Sequence, residues 1–253
     1  MTWEDLKDKV VIVTGGGKGI GKVYVREFAL QGARVVAADI DYEAAKRVAG
    51  ELKERGAQVL AIEVDVSNEE SVLKMVEDTV KTFGDVDVLV NNASLMSALP
   101  RGDWRNIPIA EWNKVMEVNV AGPFLCARAV FPSMQRRGKG KIINISSSRV
   151  FEGSPNRLHY TTSKAGVIGF TKALAAELAA KGVTVNAVAP GYIATKMVLA
   201  IKPEVLQSII DTVPMKRLGS PEEMGGICVY LASDVAAFMT GATMNINGGL
   251  YFQ

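Results

Sequence analysis

Tyr160-Thr161-Thr162-Ser163-Lys164, with Ser147 upstream, is the stretch whose residue types and spacing could do chemistry. In a helix, Tyr160 and Lys164 are i and i+4 neighbours that project from one face. A phenol normally titrates near pH ~10, too high for a base at neutral pH. A fixed ammonium beside it favours the phenolate and makes the tyrosine usable as a general acid/base. The chemistry suggested is alcohol/carbonyl redox, with Tyr160 carrying the proton. A Tyr-x-x-x-Lys spacing alone also describes a solvated helix face, so the other parts of such a site must be found elsewhere in the chain.

The first of these parts is a strand, a glycine loop and a helix in that order. Val10-Val11-Ile12-Val13 is a continuous apolar run of the kind a parallel strand shows when buried on both faces. It leads into Thr14-Gly15-Gly16-Gly17-Lys18-Gly19-Ile20-Gly21, and a helical pattern follows through Val23, Phe28 and Leu30. In that setting Gly15, Gly19, Ile20 and Gly21 bring backbone close to a dinucleotide pyrophosphate at a helix N-terminus. A second strand, Arg34-Val35-Val36-Ala37-Ala38, ends in Asp39. That is close to the ~20-residue spacing at which a carboxylate meets the adenosine ribose. Such a carboxylate repels a 2′-phosphate, which favours NAD over NADP, whereas a cation at Lys18 pulls towards NADP. Asp39 is the heavier of the two, since it excludes the phosphate by charge and by sterics.

The alternation continues to the C-terminus. A helix over about 42–55 precedes a strand at Gln58–Val64, after which Asp65 and Val66 stand where adenine would lie; Asp65 or Ser67 is equally readable as a helix N-cap. A helix over about 69–83 leads to a strand at Val86–Val90, ended by Asn91-Asn92-Ala93-Ser94. Residues 95–109, with Pro100, Gly102 and Pro108, read as a loop. One long helix is expected over about 110–137 with Asn119 in its middle, an unfavourable place for asparagine. A strand at Lys141–Ile145 ends in Ser146-Ser147-Ser148, and the Tyr160 helix runs to Lys181. Val183–Val188 is a strand closed by Pro190-Gly191, and 192–218 reads as a movable segment with short helices. Ser220-Pro221-Glu222-Glu223 starts another helix and Ala242–Ile246 is a last strand. This pattern predicts one α/β domain over 1–253, a doubly wound (Rossmann-type) parallel sheet with helices on both faces and ligands at the strands' carboxyl ends.

Composition narrows the class. The chain has 253 residues, 48% hydrophobic and 22% charged, with a formal net charge of +2. That fits a soluble globular protein and gives no reason to invoke nucleic acid. There is no apolar run of membrane-span length and no signal-peptide core, so a cytoplasmic protein is expected. Cys126 and Cys228 read as buried thiols, and a single histidine, His159, rules out a multi-histidine metal site.

Taken together, Thr14 to Gly21, Asn91-Asn92-Ala93, Asn119, Ser147, Tyr160-x-x-x-Lys164 and Pro190-Gly191 with Ile193 and Thr195 resemble the short-chain dehydrogenase/reductase family over essentially the whole length. The resemblance implies that Ser147 stabilises the reacting oxygen, Tyr160 transfers the proton, and Lys164 lowers the tyrosine pKa while holding the nicotinamide ribose. It also implies that Asn119 orders a water in a proton relay, and that Ile193 and Thr195 hold the carboxamide. The small-molecule substrate implied is a small or medium secondary alcohol or ketone. The alternative is a 3-oxoacyl-[acyl-carrier-protein] reductase, which would use NADPH and which Asp39 disfavours. A homotetramer packed through the two long helices is implied as well.

Ser94 departs from the glycine usual after Asn-Asn-Ala. Leu95, Met96, Tyr192 and Met197 are candidates for an apolar pocket wall. Arg149 and Arg157, between Ser147 and Tyr160, read either as ligands of an anionic substrate or, the commoner fate of an arginine, as solvated rim charges.

Overall fold

The computed structural model describes residues 3–96, 99, 102–153 and 155–252. Pro100, in the expected loop, lies outside the described residues. Seven strands form one sheet in the order β3-β2-β1-β4-β5-β6-β7, and every pairing is parallel. The strands are β1 (Val10–Thr14), β2 (Arg34–Asp39), β3 (Val59–Glu63), β4 (Val88–Asn91), β5 (Gly140–Ile145), β6 (Val183–Pro190) and β7 (Thr243–Ile246). The helices between them are α1 (Gly19–Leu30), α2 (Tyr42–Lys53), α3 (Glu69–Phe83), α4 (Ile109–Met116), α5 (Gly122–Arg137), α6 (Arg149–Glu152), α7 (Leu158–Leu178), α8 (Lys196–Leu199), α9 (Pro203–Thr212) and α10 (Pro221–Ala232).

The continuous apolar run of β1 is explained by cover on both faces. Val11 and Val13 pack with Tyr24 and Phe28 of α1 on one side. Val10 and Ile12 pack with Met75 of α3 and with Cys126 and Val130 of α5 on the other. Successive side chains of a strand point to opposite faces, so every residue of β1 has a core to enter. The chain winds outward from β1 to β3, then returns to place β4 on the other side of β1. That reversal opens a crevice at the carboxyl ends of β1 and β4, where α/β sheets take ligands.

Three expectations change in detail. The helix expected over 110–137 is interrupted by a π-helical turn at Glu117–Ala121, with Asn119 at its centre. Pro123 has no N–H to give to the carbonyl of Asn119 four residues back, and the helix widens there by a residue. The N-cap of α3 is Asn68, whose side chain accepts from Ser71 N at 2.9 Å, rather than Asp65 or Ser67. Strand β6 continues two residues past Val188, because Ala189 and Pro190 pair with Asn245 and Ile246 of β7.

Buried polar side chains tie β4, β5 and α7 together. Asn91 Nδ2 donates to Asn144 Oδ1 at 2.9 Å, and Asn144 Nδ2 donates to Thr171 Oγ1 at 3.0 Å. Asn144 and Thr171 are fully buried, so each group depends on the next for its hydrogen bonds. The link fixes α7, which carries Tyr160 and Lys164, against the strands that end at the crevice. No helix among the described residues is long and apolar enough to cross a membrane.

Candidate active site

The glycine loop is built for close backbone approach. Gly15 has φ +65°, and a Cβ there would sit 2.9 Å from Asn92 Nδ2. At Gly21 a Cβ would lie 1.9 Å from the Gly15 carbonyl oxygen, so any side chain would force the loop open. At Gly19, by contrast, φ is +55° and the Cβ direction faces open space. The N-terminus of α1 has no side-chain cap and no acidic residue in its first turn, whereas α2, α3 and α10 are all capped by side chains. Uncapped N–H groups, a positive dipole end and open space at Gly19 fit a diphosphate.

Asn92 and Thr14 hold this loop in place. Asn92 Nδ2 donates to the carbonyls of Thr14 and Gly15 at 2.9 and 3.1 Å, and Thr14 Oγ1 accepts from Asn92 N and Ala93 N, both at 3.1 Å. The Asn92 side chain, singled out as a cofactor contact, is thus engaged in bracing the loop.

At the end of β2 the buried Asp39 accepts from Gly17 N through Oδ2 and from Asp41 N through Oδ1, both at 2.9 Å. The Lys18 ammonium is paired with Asp41, whose carboxyl it holds below the usual range. The cation that argued for NADP is therefore partly compensated within the loop. Beyond β3, Asp65 Oδ1 accepts from Ser67 N at 2.9 Å and Ser67 Oγ at 2.6 Å. Burial raises the Asp65 pKa, but the Ser67 hydrogen bonds and Lys114 outweigh it and the net shift is downward. Val66 is buried against Gly122, where a Cβ would come within 2.9 Å of it.

Tyr160 and Lys164 meet as expected on one face of α7, with the Lys164 Nζ 5.9 Å from the Tyr160 ring centroid. Both are buried, Tyr160 to 6% and Lys164 to 3% exposure. Burial raises the Tyr160 pKa above its ordinary value, opposed by a hydrogen bond with Ser147 and by the positive charges of Arg149 and Arg157. Burial pushes the Lys164 ammonium down to about 7, and its Nζ donates to the Ile145 carbonyl at 2.7 Å. Burial thus makes Lys164 easier to deprotonate than a solvent-exposed lysine, and the charges that oppose the rise at Tyr160 are those of Arg149 and Arg157. The sequence reading assigns that work to Lys164, helped by the cationic nicotinamide, and does not include the two arginines.

Two serines fix the backbone from which these side chains project. Ser146 Oγ donates to the Lys164 carbonyl at 2.8 Å and Ser163 Oγ to the Tyr160 carbonyl at 2.7 Å. Asn119 Nδ2 in turn donates to Ser163 Oγ at 3.0 Å and to Leu95 O at 3.2 Å, while its Oδ1 accepts from Leu95 N at 2.7 Å. Asn119 therefore clamps the strand-end segment at Leu95 to α7, which carries Tyr160 and Lys164. Sequence reading missed Ser146 and Ser163; the only signal for Ser163 was a hydroxyl inside the Tyr-x-x-x-Lys spacing.

Around Tyr160 stand Leu95 and Met96, packed against it with Leu99 and Val115. The Arg149 guanidinium lies 5.6 Å from the centroid of the Tyr192 ring, and Arg149 N donates to Ser147 Oγ at 3.3 Å. Arg157 Nη1 donates to the Met96 carbonyl at 2.5 Å. Phe151, on α6 two residues after Arg149, stacks on Tyr251 with centroids 5.5 Å apart. Ser94 is exposed. Gly191 has no room for a Cβ beside Asn247, and Ile193 is buried and bridges to Gly219. Thr195 caps α8 through Val198 N at 3.4 Å, and Met197 on that helix is exposed. No group of metal-ligating side chains is assembled among the described residues.

The chain matches the family model described as enoyl-(acyl carrier protein) reductase over residues 15–251. It is 45% identical over 249 residues to nodulation protein G of Azospirillum brasilense, covering 98% of this chain and 100% of that protein. It is 40% identical to a 3-oxoacyl-[acyl-carrier-protein] reductase of Synechocystis sp., covering 97% and 98% of the two chains. Its identity to an acetoacetyl-CoA reductase of Cupriavidus necator is also 40%, covering 97% and 99%. The chain belongs to the short-chain dehydrogenase/reductase family. It is an NAD(P)-dependent oxidoreductase of the kind that acts on CH–OH and keto groups.

The buried ammonium has a measurable consequence. Its pKa is about 7 in the fold and near ~10.4 in the unfolded chain, so the unfolded state binds more protons between those values. This part of the stability therefore rises with pH from about 7 towards 10, and it is lost as pH falls through the folded value. Lys164→Met should be more stable than the parent at pH 7 without cofactor. Its advantage should shrink by roughly 2–4 kcal/mol by pH 10. Urea denaturation midpoints at the two pH values check this, and an advantage equal at both would contradict it.

Proposed function

We propose that the protein interconverts a small or medium secondary alcohol and its ketone, with NAD preferred to NADP. The observation that carries this reading is the buried Tyr160 phenol, hydrogen-bonded with Ser147 and flanked by cations where the sheet's crevice opens. When bound, the nicotinamide accepts hydride from the carbinol carbon or returns it to the ketone. Tyr160 takes the hydroxyl proton in oxidation and gives it back in reduction, and the Ser147 hydroxyl supports the reacting oxygen. Lys164 would hold ribose hydroxyls, and contact with a ligand that favours its charged form would raise its pKa and so favour the tyrosinate. Asn119 would keep α7 and the Leu95 segment in register and stand in the proton path. Gly15, Gly19, Ile20 and Gly21 would hold the diphosphate, Asp65 and Val66 the adenine, and Pro190, Gly191, Ile193 and Thr195 the nicotinamide, with Ala93 beside it.

The preference for NAD rests on charge around the ribose. Asp41 is offset by Lys18 and Arg47, which leaves Asp39 to set the sign where a 2′-phosphate would come. A second reading, reduction of a 3-oxoacyl thioester with NADPH, draws support from the names of the Synechocystis and Cupriavidus relatives. A 3-oxoacyl thioester is a ketone, so the same acid/base set serves it, and the cofactor preference separates the two. A homotetramer fits Ala165, Gly166, Gly169, Ala173 and Ala176 of α7 and Ala180 of the turn that follows it, which are all exposed small residues. A cytoplasmic setting fits the two free, buried thiols, Cys126 and Cys228.

Tyr160→Phe should lower kcat for ketone reduction by about a thousandfold or more while leaving the dissociation constant for NADH within about twofold. Survival of turnover in that variant would remove Tyr160 from the mechanism. Asp39→Ala should raise the ratio of kcat/KM with NADP to that with NAD by about tenfold or more; a parent enzyme that already prefers NADP would refute the reading of Asp39. Light scattering should give the mass of four chains, and a monomeric peak at working concentration would refute the tetramer.

A further inference from the structure

We propose that the substrate is anionic, a hydroxy or oxo acid whose carboxylate is held by Arg149 and Arg157 beside the reacting carbon. This rests on the alcohol/ketone reading of the site and adds to it the chemical class of the substrate. The two arginines reach the site from different elements. Arg149 opens α6 directly after the serine run, and its backbone N donates to Ser147 Oγ at 3.3 Å. Its guanidinium is laid over Tyr192, 5.6 Å from the ring centroid, on the segment that follows β6. Arg157 is the N-cap residue of α7, three positions before Tyr160, and its Nη1 reaches across to the Met96 carbonyl at 2.5 Å. Met96 itself packs against Tyr160. Two half-buried guanidinium groups are thus each held by a neighbour, one by the Tyr192 ring and the other by the carbonyl of Met96, which packs against Tyr160.

A rim charge behaves differently. It lies extended into solvent, where an arginine loses little by remaining mobile. Here both planar forks are oriented by neighbours, and both are close enough to Tyr160 for their charge to act on its hydroxyl. The reacting carbon must lie at that hydroxyl, so an anion held by either fork is within a few carbons of it. Guanidinium recognises carboxylate through paired, charge-assisted hydrogen bonds, and a fork that is already positioned loses less freedom on binding. Leu95 and Met96, packed against Tyr160, and the Tyr192 ring beside Arg149 supply apolar surface for the carbon skeleton.

The test compares 3-hydroxybutanoate with its methyl ester, two secondary alcohols that differ in one charge, each oxidised with NAD and with NADP. The parent enzyme should favour the acid by about tenfold or more in kcat/KM. Arg149→Met and Arg157→Met should each reduce the acid-to-ester ratio by about tenfold or more, and Arg149→Lys should restore part of it. If the arginines serve only to adjust Tyr160, both substrates lose rate together and the ratio stays fixed, which would overturn the proposal. A parent ratio at or below unity would overturn it as well. Calorimetric binding of 3-hydroxybutanoate to the complex with reduced cofactor is read independently of turnover. Binding weakened about tenfold or more in Arg149→Met upholds the anion site even if neither alcohol is oxidised, in which case the redox reading fails and the anion site stands. No binding to the parent complex overturns the anion site, whereas turnover of neutral ketones would leave the redox reading in place.

Discussion

A phenol and an ammonium buried side by side impose the central constraint on this molecule. Taking an ammonium out of water disfavours its charged form, and taking a phenol out of water disfavours the phenolate. Both effects oppose the ion pair that makes a tyrosine basic, so the fold has to supply compensation at short range. It does so with the Ile145 carbonyl on Lys164, with Ser147 on Tyr160, and with Arg149 and Arg157 standing close by. The backbone beneath them is fixed by Ser146 and Ser163, and α7 is keyed to the sheet through Asn144 and Thr171. Removal of any one of these supports would leave a buried polar group without its partner.

The same economy of polar groups governs the other half of the crevice. Thr14, Gly15 and Asn92 close a set of hydrogen bonds between the ends of β1 and β4, which sets the shape of the glycine loop. Asp39 then accepts from Gly17 inside that loop. The carboxylate that would read the ribose is therefore also a fastener of the loop that would hold the diphosphate. Charge selectivity and loop geometry are coupled through one side chain, and they cannot be tuned separately.

What was legible in the sequence is what depends on local chain chemistry. An apolar run, a glycine loop and a helix can be recognised because each needs particular residue types in consecutive positions, and the parallel order of the strands follows from the alternation. Tyr160, Lys164, Ser147 and Asp39 could be singled out as candidates because their spacing reflects one helix turn or the end of one strand. What escaped depends on contacts between distant segments. Asn119 was visible as an anomaly in a helix, yet its engagement of Leu95 requires the loop after β4 to fold back on α7. The π-helical turn was in principle readable, because Pro123 stands four residues after Asn119 and withholds the N–H that an α-helix needs there. Ser146 looked like one more residue of a serine run, and only the packed structure shows that its hydroxyl serves Lys164.

The surroundings of the two arginines illustrate the limit most clearly. Met96, Arg149, Arg157 and Tyr192 come from separate elements and loops of the chain, and no periodicity links them. Arginine is usually solvated, so sequence alone favours the bland reading of Arg149 and Arg157. The orientation of the two side chains is a second, independent fact. One guanidinium is stacked on an aromatic ring and the other is tied to a backbone carbonyl, and the charges of both lower the Tyr160 pKa. A cation placed there favours the tyrosinate whether or not it also binds substrate. An anionic substrate would partly cancel that help, so a site of this kind needs more than one cation if it is to hold a carboxylate and still keep its base. Two arginines in addition to Lys164 meet that requirement.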